Sequence, residues 1–351
     1  MWFQNCNGLV KKGDINEFQF DMANMADEGI NYFSFSETCV NTSKFGFSSK
    51  ISDAFKQVIP SGGFSLNNTS EYPRHTNYQP GGVAAGFDAM LRMKFLCEGR
   101  DDMGRWIWQE FGQNERILQI YTIYRVNNGT EYASGENTAS SQQKRNLIKK
   151  NIKGNPRKHV MEMLTKELAG LIEKGVNVIV GGDFNERIHS PEKMSQMMEK
   201  LGLFNVFEQR LDSRDLPRTH SRGSLAVDHI WATPLVLDHI VHAGMAPFGG
   251  MCESDHRGLY IDLDEKMLFQ PDDVKIVYHD FRRLKSNMPK RVKRYMRLLM
   301  SEWKSQQIDL DHLKLMELCA TSAPIEAIQD AANKLDKKNS NDNGKSGIKM
   351  Y

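Results

Sequence analysis

The sequence predicts a layered α/β fold over residues 1–265, followed by a basic helical extension (266–332) and a disordered polar tail (333–351). Three observations lead to this expectation. Short apolar runs, rich in β-branched and aromatic residues and bounded by Gly, Asn, Asp or Ser, recur as strands do. Amphipathic stretches with helix-start and helix-stop signals lie between them. The two kinds mix without strict βαβ alternation, which suggests layers; two sheets packed face to face with helices outside would fit.

Strand candidates are residues 2–6, 32–36, 82–87, 117–124, 176–181, 227–232 and 258–263. Within 157–174, Val160, Met163, Leu164, Leu168, Leu171 and Ile172 recur at helical spacing, and Gly175 supplies the stop. Ser190 and Pro191 open another helix as N-cap and first helical residue. Met194, Met197, Met198 and Leu201 form its apolar face, and Gly202 follows. Residues 127–151, rich in Asn, Gly, Ser, Thr and Gln without an apolar period, read as a long loop. Beyond residue 266 the strand signals stop. Residues 281–304 are dense in Arg and Lys, with Val292, Tyr295, Met296, Leu299 and Trp303 as an apolar stripe. Such a helix suits a nucleic-acid backbone, and equally suits a solvated helix packed by its stripe.

Composition excludes some classes. At 351 residues, with 40% hydrophobic and 26% charged residues, the chain is globular in character rather than disordered. A net charge of +2 leaves any electrostatic case for a nucleic-acid partner to local patches. The five cysteines are scattered without zinc-ligand spacing, and read as reduced, buried thiols. No secretory core follows Met1, and no apolar run approaches the ~20 residues of a membrane span. The expectation is a nuclear or cytoplasmic protein, not secreted, with no membrane partner and taken as a monomer.

Five segments carry chemistry at strand ends. The most informative is Val178-Ile-Val-Gly-Gly-Asp183-Phe-Asn185-Glu, an apolar strand running into a Gly-Gly turn. Asp183 can accept a proton from an attacking water, and Asn185 can hold that water or a phosphate oxygen. The bland reading is an Asx turn. In Glu253-Ser-Asp255-His256-Arg257, Asp255 can contact a metal while His256 stabilises or protonates a phosphoryl oxygen. Asp228, flanked by core residues in Val227-Asp-His-Ile-Trp, needs a partner, and His256 is the natural candidate. Gln4-Asn5-Cys-Asn7-Gly-Leu and Phe35-Ser-Glu37-Thr complete the set. Oxygen ligands from separate strand ends suit Mg²⁺ or Mn²⁺.

In this order, Asn-x-Asn-Gly-Leu, Glu-Thr, Tyr-x-x-Asn, Gly-Asp-Phe-Asn, Val-Asp-His-Ile and Ser-Asp-His resemble the endonuclease/exonuclease/phosphatase superfamily. The opening is closest to the apurinic-endonuclease-like domains of non-LTR retrotransposons. The resemblance implies a four-layered α/β sandwich (two packed mixed β-sheets flanked by helices) with its site at the mouth between the sheets. It implies metal binding by Glu37, with Asp255, Asn7 and Asn5 nearby. It further implies water activation by Asp183 with Asn185, phosphate stabilisation by His256 backed by Asp228, and Tyr124 near the scissile phosphate. Gly82, Thr219 and Arg257 resemble substrate-contacting positions. Tyr124 sits in Tyr-Arg-Val-Asn rather than Tyr-x-Pro-Asn, and Asn7 stands where many relatives carry a carboxylate.

The implied activity is metal-dependent DNA nicking by water attack on a phosphodiester. The alternatives are another phosphoesterase acting on RNA, nucleotides or phosphoinositides, and a nucleic-acid-binding relic weakened at Asn7. No polymerase Tyr-x-Asp-Asp motif accompanies the set, so the expectation is a lone nuclease-type domain, a truncated element or a domesticated copy.

Overall fold

The computed structural model describes residues 1–69, 76–113, 116–127, 138–190, 194–211 and 216–269, together with Lys293 and Arg297, both helical and exposed. One compact unit spans Met1–Asp272. The rest of the basic stretch 281–304, the tail 333–351, Pro191 and Cys319 lie outside the described residues.

The strands are β1 (Trp2–Asn5), β2 (Tyr32–Ser36), β3 (Gly63–Asn67), β4 (Val83–Phe87), β5 (Phe95–Arg100), β6 (Trp106–Gln113), β7 (Arg116–Tyr124), β8 (Asn177–Asp183), β9 (Phe204–Asn205), β10 (Asp228–Ala232), β11 (Ile240–Met245) and β12 (Leu259–Leu263). The helices are α1 (Ile15–Asp27), α2 (Phe45–Val58), α3 (Ala89–Arg92), α4 (Ala139–Lys149), α5 (Pro156–Ile172), α6 (Met194–Lys200), α7 (Val206–Leu211), α8 (Pro234–Asp238) and α9 (Glu265–Phe269). They build two mixed six-stranded sheets, ordered β11-β12-β1-β2-β4-β3 and β5-β6-β7-β8-β10-β9. Each sheet has one parallel pair, β1 with β2 and β7 with β8, and its other neighbours run antiparallel.

Side-chain alternation explains the layering. In β1, Phe3 faces the inter-sheet core with Ile120, Ile179 and Ile230, while Trp2 faces outward. In β8, Ile179 faces inward, and Val178 and Val180 face outward. The outer face of the first sheet packs on Phe18, Met22 and Met25 of α1 and on Ile51, Ala54 and Phe55 of α2. The outer face of the second packs on Val160, Met161, Leu164 and Leu168 of α5 and on Met194 and Met198 of α6. The result is a four-layered α/β sandwich, as the family resemblance implies. Strands buried on both faces read as continuous apolar runs, which is why these were recognisable.

Several expectations need correction. Residues 127–151 are not one loop, because α4 occupies 139–149 behind an N-cap in which the Thr138 hydroxyl accepts from the Ser141 amide at 3.2 Å. Its buried face is Gln142, Gln143, Asn146 and Leu147, so no apolar period marked it. In α5, Met163 is 42% exposed and Met161 points inward instead. Strands β3, β5, β6 and β11 and helices α1 and α2 are further elements beyond those the sequence predicts. Of these, β5 and β11 are only partly buried, with mixed polar residues and little apolar alternation. Cys97 is exposed, whereas Cys6, Cys39 and Cys252 are buried free thiols. No helix among the described residues is long and apolar enough to cross a membrane.

Gly181 and Gly182 belong to β8 rather than to a turn. A Cβ on Gly181 would lie 2.3 Å from the Phe3 ring, and one on Gly182 would lie 2.1 Å from the Ile123 carbonyl oxygen. Gly182 also has φ +140. Across the interface, Gly181 meets Phe3 and a Cβ on Gly182 would lie 2.9 Å from Ser36 Oγ, so the pair lets the two sheets close together just beneath the rim. Gly181→Val should therefore cost on the order of 1–3 kcal/mol through overpacking. The measurement is the urea unfolding midpoint at constant slope, and an unchanged midpoint would show that Phe3 does not fill this space.

Candidate active site

The topology brings the chemistry to one rim. Parallel strands β1, β2, β7 and β8 end there, delivering Asn5, Glu37 (one residue past β2), Tyr124 and Asp183. Antiparallel strands begin where their parallel neighbours end. Asp228 opens β10 directly opposite Asp183, and His256 precedes β12, which pairs with β1.

Asn5 is fully buried and ties the carboxylates together. Its amide nitrogen donates to Glu37 Oε2 at 3.0 Å and to Asp183 Oδ2 at 2.8 Å. Its Oδ1 accepts from the Asn7 amide at 2.9 Å. Ser36 reinforces the link: its hydroxyl donates to the Ile123 carbonyl at 2.7 Å and accepts from the Asp183 amide at 3.3 Å. Glu37 has φ +54 and also accepts from the Tyr124 hydroxyl. Burial pushes the Glu37 carboxyl up, partly offset by the Asn5 hydrogen bond.

Asp183 is 1% exposed. Asn185, with φ +49, donates to it twice, from its backbone at 2.7 Å and from its side chain at 3.0 Å, and also donates to the Arg125 carbonyl at 2.8 Å. Burial, and then the neighbouring Asp228 carboxylate, lift Asp183 to about 8.

His256 Nδ1 lies 2.8 Å from Asp228 Oδ2. Burial opposes the imidazolium, but the carboxylates of Asp228, Asp183 and Asp255 outweigh it and raise His256 to about 9. Ser254 donates to the Asn5 carbonyl at 2.6 Å and accepts from the His256 amide at 3.1 Å, seating the histidine beside β1. Asp255 receives the Asn7 side-chain amide at 3.2 Å and lies 3.4 Å from His220 Nε2.

The structure thus brings together Asn5, Asn7, Glu37, Tyr124, Asp183, Asn185, Asp228, Asp255 and His256. The three remaining predicted positions sit differently. Thr219 is fully buried, and its hydroxyl accepts from the amides of Val227 (2.9 Å) and Asp228 (3.1 Å), so it sets the start of β10 rather than facing a ligand. Arg257 stacks on Phe248 with 4.2 Å to the ring centroid and donates to the carbonyls of Arg218 and Ala246. Gly82 (φ +87) is buried, and a Cβ there would lie 2.8 Å from Thr38 Oγ1 and Asn68 Nδ2.

Sequence reasoning missed a buried ionic group behind the site. Arg125 pairs with Glu186, and Arg157 Nη2 lies 3.8 Å from the same carboxylate. The two guanidiniums also donate to the carbonyls of Phe184 and Asn185, fixing the loop that carries Asn185. Arg157 looks like a surface residue of a helix, and nothing local marks it otherwise. His220, which no sequence signal marked, lies on the site's edge through its pairing with Asp255.

No protein-family profile and no curated protein matches the sequence. Solved structures do match the fold. An AP endonuclease from Leishmania major aligns with TM-score 0.55 at 13% identity, covering 74% of this chain and 86% of that one. An AP endonuclease from Archaeoglobus fulgidus aligns with TM-score 0.51 at 14% identity over 75% of this chain and 98% of its own. The catalytic domain of Xenopus laevis APE2 gives 0.51 at 12% identity over 74% and 90%. This chain has the endonuclease/exonuclease/phosphatase fold. In this chain Asn5, Glu37, Asp183 and His256 meet at the rim between the two sheets.

The residues present suit a divalent cation. Four carboxylates (Glu37, Asp183, Asp228, Asp255) share the mouth, and among the described residues their polar partners come from Asn, Tyr and His side chains and a backbone amide, none from Lys or Arg. Asp228 Oδ1 is buried with no hydrogen-bond partner. Two of these carboxylates, Asp183 and Asp228, are buried, and holding clustered acids there in their charged form is costly without a counter-ion.

His256 holds its proton more tightly folded than unfolded, so its pairing stabilises the chain fully below about pH 6.5 and loses that contribution as pH rises through about 9. In metal-free protein, Asp228→Asn should drop the His256 pKa, as followed by NMR titration of its ring protons. A titration still centred near 9 in the variant would remove Asp228 as the main source of the shift.

Proposed function

We propose that this chain is a divalent-metal-dependent phosphodiesterase that cleaves nucleic acid, with DNA nicking of the retrotransposon type as its activity. The observation that carries this reading is the meeting of the Asp183–Asn185 pair and the Asp228–His256 pair in one mouth, joined to Glu37 through Asn5. A proton acceptor, a charged proton donor and a group of oxygen ligands are what hydrolysis of a phosphodiester requires. The AP endonucleases that share the fold support nucleic acid as the substrate class.

Water attacks the phosphorus in line while the bond to the opposite ester oxygen breaks, and the departing alkoxide takes a proton from solvent. Asp183 takes the water's proton; burial, and then the Asp228 carboxylate, raise the proton affinity of this carboxyl, which favours its action as a general base. Asn185, locked by the Arg125 carbonyl, and Asn5 orient the water and the phosphoryl oxygens. His256, charged at neutral pH, faces the developing negative charge, and Asp228 keeps its ring oriented. Glu37, with Asp255 and Asn7, would hold Mg²⁺ or Mn²⁺, because hard cations take oxygen ligands. When bound, the cation neutralises charge on the phosphoryl group. Tyr124 holds Glu37 from behind, which assigns it to orientation of that carboxylate.

Uncatalysed phosphodiester hydrolysis is slow enough that the site must supply on the order of 20 kcal/mol. Supercoiled plasmid should be nicked in Mg²⁺ and left intact in EDTA, with Asp183→Ala and His256→Ala each losing about 100-fold or more. Only a few-fold loss in either variant would sink its assigned role. Intact plasmid with well-folded native chain, in either Mg²⁺ or Mn²⁺, would move the substrate to another phosphoester.

A further inference from the structure

We propose that His220, Asp255 and His256 form a second metal site, which shares Asp255 with the oxygen-ligand position at Glu37 and takes Zn²⁺ or a similar borderline ion. One ligand atom from each of the three lies within 4.8 Å of the others. His220 Nε2 and Asp255 Oδ2 are 3.4 Å apart. Two ligands held about 2.0–2.1 Å from a tetrahedral zinc are separated by about 3.4 Å, so this edge already has the required span.

The donor set decides the class of ion. Two imidazoles and one carboxylate suit Zn²⁺, whereas Mg²⁺ takes oxygen and keeps its waters. Three protein ligands leave a fourth position, and the side chains of His220 and Asp255 are 30% and 28% exposed, which gives an ion its way in.

The ligands are also held in place. His256 Nδ1 is engaged by Asp228, which orients the ring and leaves Nε2 as its free ligand atom. A carboxylate behind a histidine in this way is the usual support of a zinc ligand. His220 and His256 form a β-bridge, flanked by Ser221 N–H to the Asp255 carbonyl (2.7 Å) and Arg257 N–H to the Thr219 carbonyl (2.8 Å). Their rings meet edge to face with centroids 4.8 Å apart. Binding therefore needs side-chain adjustment rather than loop refolding. An ion seated here occupies His256, the group the proposed reaction uses, so occupancy excludes turnover; this consequence alone rests on that reading of function.

The test is spectroscopic and independent of nicking. Full-length chain stripped with EDTA and desalted is titrated with Co²⁺, whose visible d–d absorption reports a four-coordinate site. One equivalent should bind, Zn²⁺ should displace it, and excess Mg²⁺ should not. His220→Ala and the ring-retaining His220→Phe should each weaken binding by roughly 10-fold or more. Asp183→Asn should leave the band in place, because Asp183 belongs to the other cluster around His256. Absence of a stoichiometric four-coordinate band, an unchanged affinity in either folded His220 variant, or loss of the band in Asp183→Asn would overturn the assignment.

Discussion

The side-chain amide of Asn5 holds the mouth together. One NH₂ group donates at once to Glu37, which follows β2, and to Asp183, at the end of β8 in the opposite sheet. Burial pushes both carboxyls towards their neutral forms, and Glu37 adds its repulsion to Asp183. A neutral donor between them eases that repulsion without adding a charge that would compete with a cation. Lys at this position would neutralise the pair, and Asp would add a third negative charge. The Asn7 amide fixes the orientation of Asn5, because its donation to Oδ1 leaves only the NH₂ group facing the acids.

This geometry requires two sheets in close contact at their rims. Gly181 and Gly182 provide it on one side, and Ser36 provides it on the other by bonding both Ile123 and Asp183 across the interface. Below the rim the contact becomes apolar, with Phe3 and Ile179 among the inter-sheet residues. The site is thus the polar edge of the same interface that forms the core. Its precision follows from strand ends rather than long loops, since register with β1, β8 and β12 leaves little freedom to Asp183, Asp228 and His256.

Behind Asp183 the loop 184–186 is held by buried charge. Glu186 is shared by two guanidiniums, which also satisfy the Phe184 and Asn185 carbonyls. His229 Nε2 contacts the Glu186 carbonyl at 2.7 Å and is pushed down to about 4 by burial, so it remains neutral in the core. Such groups add little net stability, but removing one partner strands the other charge in a dry environment. Asn185 keeps its left-handed backbone in this frame, with its side chain pinned between Asp183 and Arg125.

The sequence by itself determined the class of fold and most of the side chains in the mouth. Central strands are buried on both faces, so their apolar runs stand out, and polar residues that end such runs stand out in turn. Asp183, Asp228, Glu37 and His256 were legible for that reason. Only the tertiary structure decided what those side chains do to one another. Asn5 acts between two carboxylates, Thr219 as the buried support of Asp228, and Arg157 as an interior charge; His220 becomes the neighbour of Asp255. Helix α4 escaped notice because its buried face is made of amides. The physical reason is common to all of these. Periodicity reports burial of apolar area, which is local and repeated, whereas a polar contact depends on one partner tens or hundreds of residues away, such as Asn5 and Asp183, 178 positions apart.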